Sequence, residues 1–291
     1  MLMPPVQRLR ILSLNVWGGQ AHGPLLQFVR EQANQTDIFC LQEVLTAPAL
    51  LPLTCGFRTT LYRELSDALP EFDGAFDPLV AWDEPTASDT PSGTPSDTFG
   101  GTTVQVQFGL ATFARRTLPL SMRRAAWIIE HEDTLDAISG LHRITRWLQL
   151  TEVHVAAGDR VGQTLLIGNF HGIARPGTKL DNDERLAQSQ GIRRALAAHD
   201  GPVVLTGDFN LLSETESVRL LEDGLRNLVM ERAVPTTRSR LNPYFGTPQE
   251  QVHADYVFVS LGLRVADFQV PDVAVSDHLP LYLTLDLTPG T

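Results

Sequence analysis

The chain has 291 residues, 43% of them hydrophobic, and a formal net charge of −11. This length suits one large β-rich or α/β domain, and the apolar fraction suffices for a substantial core. The acidity counts against a protein that grips long duplex nucleic acid through a basic face. No run of roughly 18 apolar residues occurs, which excludes a transmembrane helix. The start, "MLMPPVQRLRILSLNV", lacks the basic opening, long apolar middle and cleavage site of a secretory signal, so the expected location is cytoplasmic. Of the two cysteines, Cys40 lies in the apolar run "DIFCLQEV" and reads as a small buried hydrophobe, and two cysteines alone make no zinc site.

The first predicted strand is Arg10 to Val16, "RILSLNV", where apolar positions alternate. "AHGPLLQFVREQAN" follows as a helix whose apolar face is Leu25, Leu26, Phe28 and Val29. "TDIFCLQEV" is the second strand. Residues 71–101 are crowded with Pro, Ser, Thr, Gly and Asp and read as a long surface loop or insertion, with disorder expected in Thr86 to Gly101. Strands resume in "TVQVQFGLATFAR", "RAAWIIEH", "HRITRWLQLTEVHV" and "TLLIGNFH". Residues 184–199, "ERLAQSQGIRRALAAH", form the clearest helix, with Leu186, Ile192 and Leu196 in its stripe. "PVVLTGDFN" is a buried strand, "DYVFVSLGLRVADFQV" one or two strands, and "LPLYLTLDL" the last. Strands outnumber helices and no repeat of fixed period appears. The expectation is a single domain over 1–291 with sheets face to face and helices outside.

Polar residues gather where these apolar strands end: Asn15, Glu43, His171, Asp208 with Asn210, Asp255, and Asp277 with His278. Rigid strand ends are good mounts for reacting groups. The set holds no Ser or Cys nucleophile beside an obvious base. It is rich in oxygen donors that suit a hard cation such as Mg²⁺ or Mn²⁺. Singly, each residue has a plain structural explanation: a cap for Asn15, a turn for "GDFN", a solvated strand end for Glu43.

Together the stretches "LNVWG", "LQEV", "GNFH", "GDFN", "DYVFV" and "SDHLP" occur in an order that resembles the endonuclease/exonuclease/phosphatase superfamily. The resemblance runs from about Leu12 to Pro280 and is carried chiefly by "GDFN" and "SDHLP" downstream of "LNVWG" and "LQEV". It implies a four-layer α/β/β/α sandwich, two mixed β-sheets face to face flanked by helices. It also implies Mg²⁺- or Mn²⁺-dependent hydrolysis of a phosphodiester or phosphomonoester, and the leading expectation is a phosphodiesterase acting on a small or flexible substrate. On this resemblance Glu43 is the main metal ligand, Asn15 assists through its amide oxygen and Asp277 adds a second contact. Asp208 orients or deprotonates water, and Asn210 donates to a phosphoryl oxygen. His278, paired with Asp255, contacts the scissile phosphate, and His171 approaches it from the other side.

Trp17 stands where repair enzymes of the exonuclease III type carry an acid, and His171 where they carry a tyrosine, so abasic-site repair is disfavoured. The expected partner is a phosphoester, either a small molecule or a nucleic acid. Nothing in the sequence specifies a protein partner or a stable membrane insertion. A nuclease and a catalytically silent binding member are the competing readings. Lesser expectations concern His142, Arg143 and Arg146, as a phosphate rim or a solvated strand face, and Arg185 with Gln188, packing their helix against the "NFHG" loop.

Overall fold

Two parallel strand pairs organise the molecule, whose computed structural model describes residues 8–85, 103–129, 146–154, 164–174 and 178–287. In the first pair, β1 (Arg8–Asn15) crosses through helix α1 (His22–Gln32) to β2 (Ile38–Thr46). Helix α2 (Leu61–Ala68) comes next, followed by the antiparallel strands β3 (Phe72–Pro85) and β4 (Thr103–Arg115). β5 (Leu120–Ile129) and β6 (Arg146–His154) open the second half. Its parallel pair is β7 (Thr164–His171) and β8 (Val203–Asp208), joined through α3 (Asp183–Leu196). Helix α4 (Glu216–Glu222), the short strand β9 (Leu225–Asn227) and the single turn α5 (Leu228–Glu231) follow. Strands β10 (Asp255–Ser260), β11 (Arg264–Gln269) and β12 (Leu281–Asp286) close the chain.

The strands form two mixed six-stranded sheets, ordered β11-β12-β1-β2-β4-β3 and β5-β6-β7-β8-β10-β9. Their packing follows from the period of two along each strand. In β1, Leu9 and Ile11 join a core shared with the second sheet, while Leu12 and Leu14 turn to Leu25, Phe28 and Val29 of α1 and Leu61 and Leu65 of α2. In β2, Ile38 and Cys40 face the second sheet, and Phe39 and Leu41 face the helices. On the far side Ile192 and Leu196 of α3 pack into the core that holds Leu166 and Val204. Helices therefore cover the outer faces of two apposed sheets, as expected. Cys40 is fully buried, also as expected.

The expected loop at 71–101 is corrected over its first half. Phe72–Pro85 is a strand paired with β4 along its length, and Leu79 and Val80 are buried. The acids, glycine and prolines that suggest a loop are tolerated because β3 lies at a sheet edge, where a missing N–H costs no ladder bond. A register shift between Pro78 and Val80 absorbs the irregularity. Residues 86–101 lie outside the described residues.

Close approach fixes one glycine. Gly207 has φ +140°, and a Cβ there would sit 2.0 Å from the Phe170 carbonyl oxygen of the neighbouring strand. Gly207→Ala is expected to cost roughly 2–4 kcal/mol, combining backbone overlap with an unfavourable φ. A chemical-denaturation midpoint equal to the parent's would contradict this.

Candidate active site

Both parallel pairs end at the same place. Asn15 lies beside Gln42 in the β1–β2 register, and His171 lies beside Asp208 in the β7–β8 register. The carboxyl ends of parallel strands, where the chain must turn away into a helix, are the usual ligand positions of α/β sheets. Antiparallel β10 brings Asp255 opposite Asp208. A cleft of about 580 Å³ opens above these ends, lined in part by Glu43, Asp208, Asn210, Asp277 and His278.

The strands leave through two similar turns. Asn15 Oδ1 accepts from the Trp17 N–H at 2.9 Å, and Asp208 Oδ1 accepts from the Asn210 N–H at 2.9 Å. Each side chain bends its own backbone two residues on. The residue that follows takes the left-handed conformation: Trp17 at φ +53° and Asn210 at φ +54°. Glu43 is held at φ +59°. The β2–β4 register slips between Leu41 and Val44, so Glu43 is the extra residue of a bulge. Gln42 faces the second sheet and Val44 returns to the helix-side core, so the bulge re-aims Glu43 from the helix side into the cleft. Three of the four non-glycine residues with positive φ among the described residues line this cleft, which is how strain is distributed at functional sites.

Asp208 is the hub. Its Oδ2 accepts from Asn15 Nδ2 at 3.0 Å and lies 3.6 Å from His278 Nε2 and 3.8 Å from His171 Nε2. Burial pushes this carboxyl up, but the charges of His278 and Lys179 outweigh it and hold it well below the usual carboxylate range. Asn15 Nδ2 also donates to Glu43 Oε1 at 3.0 Å, so one amide bridges the two acids. Its oxygen accepts from the Trp17 N–H and keeps a second lone pair. Burial, then the charge of Asp277, push Glu43 up to about 7 against the hydrogen bond from Asn15.

His278 Nδ1 lies 2.8 Å and 2.9 Å from the two oxygens of Asp255. The carboxylate accepts, so Nδ1 carries hydrogen and Nε2 faces the cleft. Burial and the Arg238 charge lower the affinity of His278 for a proton. Asp255, Asp277 and Asp208 raise it by more, and the net shift is upward. Arg238 Nη1 rests against Nε2 and can only donate, so it contacts the neutral ring and must swing aside when the ring takes its second proton. His171 is buried, and neither ring nitrogen has a hydrogen-bond partner. Burial pushes it down to about 3, so it stays neutral near pH 7.

All eight expected site residues therefore converge on one cleft floor. Sequence reasoning undervalued what supports and surrounds them. Gln42 donates to Asn169 Oδ1 at 2.7 Å, and Thr112, Gln149 and Asp77 extend this buried chain between the sheets. Arg146 is not on a solvated face: it is 1% exposed, with Nε and Nη1 unpartnered. Burial pushes it down to about 10, while Asp208 and Glu43 oppose that shift. His142 and Arg143 lie outside the described residues. Gln188 accepts from the Ile173 N–H at 2.8 Å and Arg185 donates to the Thr178 carbonyl at 2.9 Å, so α3 pins the loop after β7 as expected. Lys179 on that loop donates to Asn210 Oδ1.

The donor set fits a divalent cation. Glu43, His171 and Asp208 offer ligand atoms within 4.8 Å of one another, and the imidazole nitrogens are unused. Asp208, Asp255 and His278 form a second such group, but there the Nδ1 contact to Asp255 is already spent.

Two apposed mixed sheets flanked by helices, with acids, amides and histidines on one floor, define an α/β sandwich with a polar cleft. The sequence profile of the Endonuclease/Exonuclease/phosphatase family matches residues 12–278, and the chain belongs to that family. Its members generally hydrolyse phosphoester bonds, nucleic acids included, and generally use a divalent metal. The chain is 34% identical over 120 residues to a UPF0294 protein of Yersinia enterocolitica, covering 41% of this chain and 42% of that one. It is 28% identical over 126 residues to a UPF0294 protein of Vibrio campbellii, covering 43% and 41%. The matched region thus spans about two-fifths of the length of these relatives. An endonuclease/exonuclease/phosphatase family protein from Leptotrichia buccalis superposes with a TM-score of 0.65 at 15% identity, covering 95% of this chain and 99% of that one. A mannosyl-6-phosphatase of Bacteroides thetaiotaomicron gives 0.59 at 17% identity, covering 95% and 99%. At such identities these likenesses concern the fold. Among the described residues no helix is long and apolar enough to cross a membrane.

Proposed function

We propose that this protein is a divalent-metal-dependent phosphohydrolase that cleaves a phosphoester by attack of water at phosphorus. The observation that carries the reading is the convergence of Glu43, Asp208, Asn210 and His278 on one floor, with Asn15 bridging Glu43 to Asp208. Glu43 and Asp277 would hold the cation, with Asn15 fixing the Glu43 carboxylate and His171 completing the donor set. A bound divalent ion supplies charge neutralisation at the phosphoryl group and eases ionisation of water.

This chain's own groups do the rest. Asp208, ionised and fixed by two hydrogen bonds, accepts a hydrogen bond from the attacking water and orients it. Asn210 presents its amide where charge grows on a phosphoryl oxygen. His278, its ring set by Asp255, donates from Nε2 to the phosphate once Arg238 has moved aside. In-line attack expels the leaving oxygen on the opposite side. The resemblance admits diester and monoester alike, and attack at phosphorus needs only one departing oxygen in either. The nuclease alternative draws no support from the net charge of −11. The silent-member alternative draws none from a complete set of reacting groups.

The pH dependence of the metal requirement tests the reading. Glu43 must lose its proton to hold a cation, and in the metal-free protein that proton leaves at about 7. Below that value the proton competes with the metal. The Mn²⁺ concentration giving half-maximal hydrolysis of p-nitrophenyl esters should be about tenfold higher at pH 6 than at pH 8. Hydrolysis that needs no metal, or a requirement flat with pH, would contradict it.

A further inference from the structure

Two cations reach the cleft floor that no strand end announces. β7 and β10 flank β8 in the sheet, so the loop leaving β7 and the loop entering β10 stand on either side of the Asp208 end. Lys179 is on the first and Arg238 on the second, and both line the cleft. Their partners are few. Lys179 touches Asn210 Oδ1, and makes no ion pair among the described residues. Arg238, 6% exposed, touches His278 Nε2 and lies 3.9 Å from Asp277. A guanidinium has five N–H donors, so most of its capacity is unspent. The two charges repel, and Arg238 is among the causes that lower the lysine's pKa to about 8. Like charges held toward one cavity with donors to spare call for an anion.

Their positions identify which anion. Each cation sits on one of the groups proposed above to hold the scissile phosphate, Asn210 and His278. They therefore meet the reacting phosphoryl group itself and not a distant phosphate. Around the floor four carboxylates (Glu43, Asp208, Asp255, Asp277) face three fixed cations (Arg146, Lys179, Arg238). One divalent ion turns that balance positive, so an anion is drawn to the floor. Above the floor the described lining is uncharged: Trp17, Gln20, Phe57, Asn242, Tyr244 and Gln249 offer amides and aromatic faces.

Resting on the phosphohydrolase reading, we propose that Lys179 and Arg238 clamp the additional unesterified oxygen of a terminal phosphate. Phosphomonoesters with an uncharged leaving group are then the preferred substrates. In the reaction the water oxygen bonds to phosphorus as the bond to the leaving oxygen breaks. One water proton ends on that oxygen, and the products are an alcohol and inorganic phosphate.

The test compares p-nitrophenyl phosphate with methyl p-nitrophenyl phosphate, which share a leaving group and differ by one charge at pH 7.5. Both are assayed with Mn²⁺ on the parent, Lys179→Gln and Arg238→Gln, with orthophosphate binding measured on the same Mn²⁺-loaded proteins by calorimetry. The parent should favour the monoester in kcat/KM. Each variant should lower the monoester-to-diester ratio roughly tenfold or more and weaken orthophosphate by a similar factor. A purely structural role would lower both esters alike and leave the ratio unchanged, which would overturn the clamp, as would a parent that prefers the methyl diester. If neither ester is turned over, the hydrolase reading fails. The clamp as an anion site then stands if orthophosphate binds and depends on both cations, and falls if it does not.

Discussion

Asp208→Asn is expected to lower kcat for any phosphoester by about 10²–10⁴-fold while the protein stays folded, because a positioned acid–base group typically contributes that much. The substitution keeps the shape and removes the charge. Asn at this position can still accept from the Asn210 N–H through Oδ1, preserving the turn that follows β8. It cannot accept from Asn15 through an amide nitrogen, so the bridge from Asp208 to Asn15 and Glu43 is lost at its Asp208 end. Removing one carboxylate from a crowded floor also relieves repulsion on Glu43, which Asp208 helps to raise. Asp208 also offers a ligand atom beside Glu43 and His171, so the collapse in kcat is read at saturating Mn²⁺, where any change in metal affinity drops out. Circular dichroism, Mn²⁺ titration and single-turnover rates measured together separate these outcomes. Near-parental turnover in a folded, metal-binding variant would remove Asp208 from the chemistry.

His278→Ala should cost a comparable factor, about 10²–10⁴ in kcat, by removing a donor aimed at the phosphoryl group. Here some loss of stability accompanies the effect. Asp255 is 1% exposed and accepts from His278 through both oxygens, so the deletion leaves a buried carboxylate without that partner. Asp255→Asn tests the same dyad more gently. An amide can donate to Nδ1 and turn a neutral ring's hydrogen to Nε2, which keeps a donor facing the cleft but removes the carboxylate charge that favours the doubly protonated ring. Because the two residues act as a unit, the double variant should be little worse than His278→Ala alone. Additive losses in the double-mutant cycle, or normal turnover in His278→Ala, would break the pairing.

The strand ends were legible because burial imposes a rule there: an apolar run that stops at Asn15, Asp208 or His171 has no structural need for those side chains. Their meeting on one floor follows from two parallel crossovers that end on the same side, and local patterning foreshadows that only through the order of the motifs. β3 was hidden because an edge strand tolerates Pro78, Pro85 and four acids that a central strand would reject. Arg146 shares the parity of Leu148 and Leu150, both buried, which marks it as an interior position and not part of a solvated strand face. The bulge at Glu43 left no trace in composition, since an inserted residue changes direction and not polarity. Lys179 and Arg238 lie in loops rich in ordinary polar residues, and only the tertiary arrangement sets them beside Asn210 and His278.

The measurement that bears most directly on the proposed chemistry is hydrolysis of p-nitrophenyl phosphate and bis(p-nitrophenyl) phosphate by the parent and by Glu43→Ala, each with chelator, Mg²⁺ or Mn²⁺. The expected result is turnover by the parent only when a divalent ion is present, and loss of that turnover in a Glu43→Ala protein that remains folded. Equal turnover by the two proteins, or turnover by the parent in chelator, would contradict a metal centre built on Glu43.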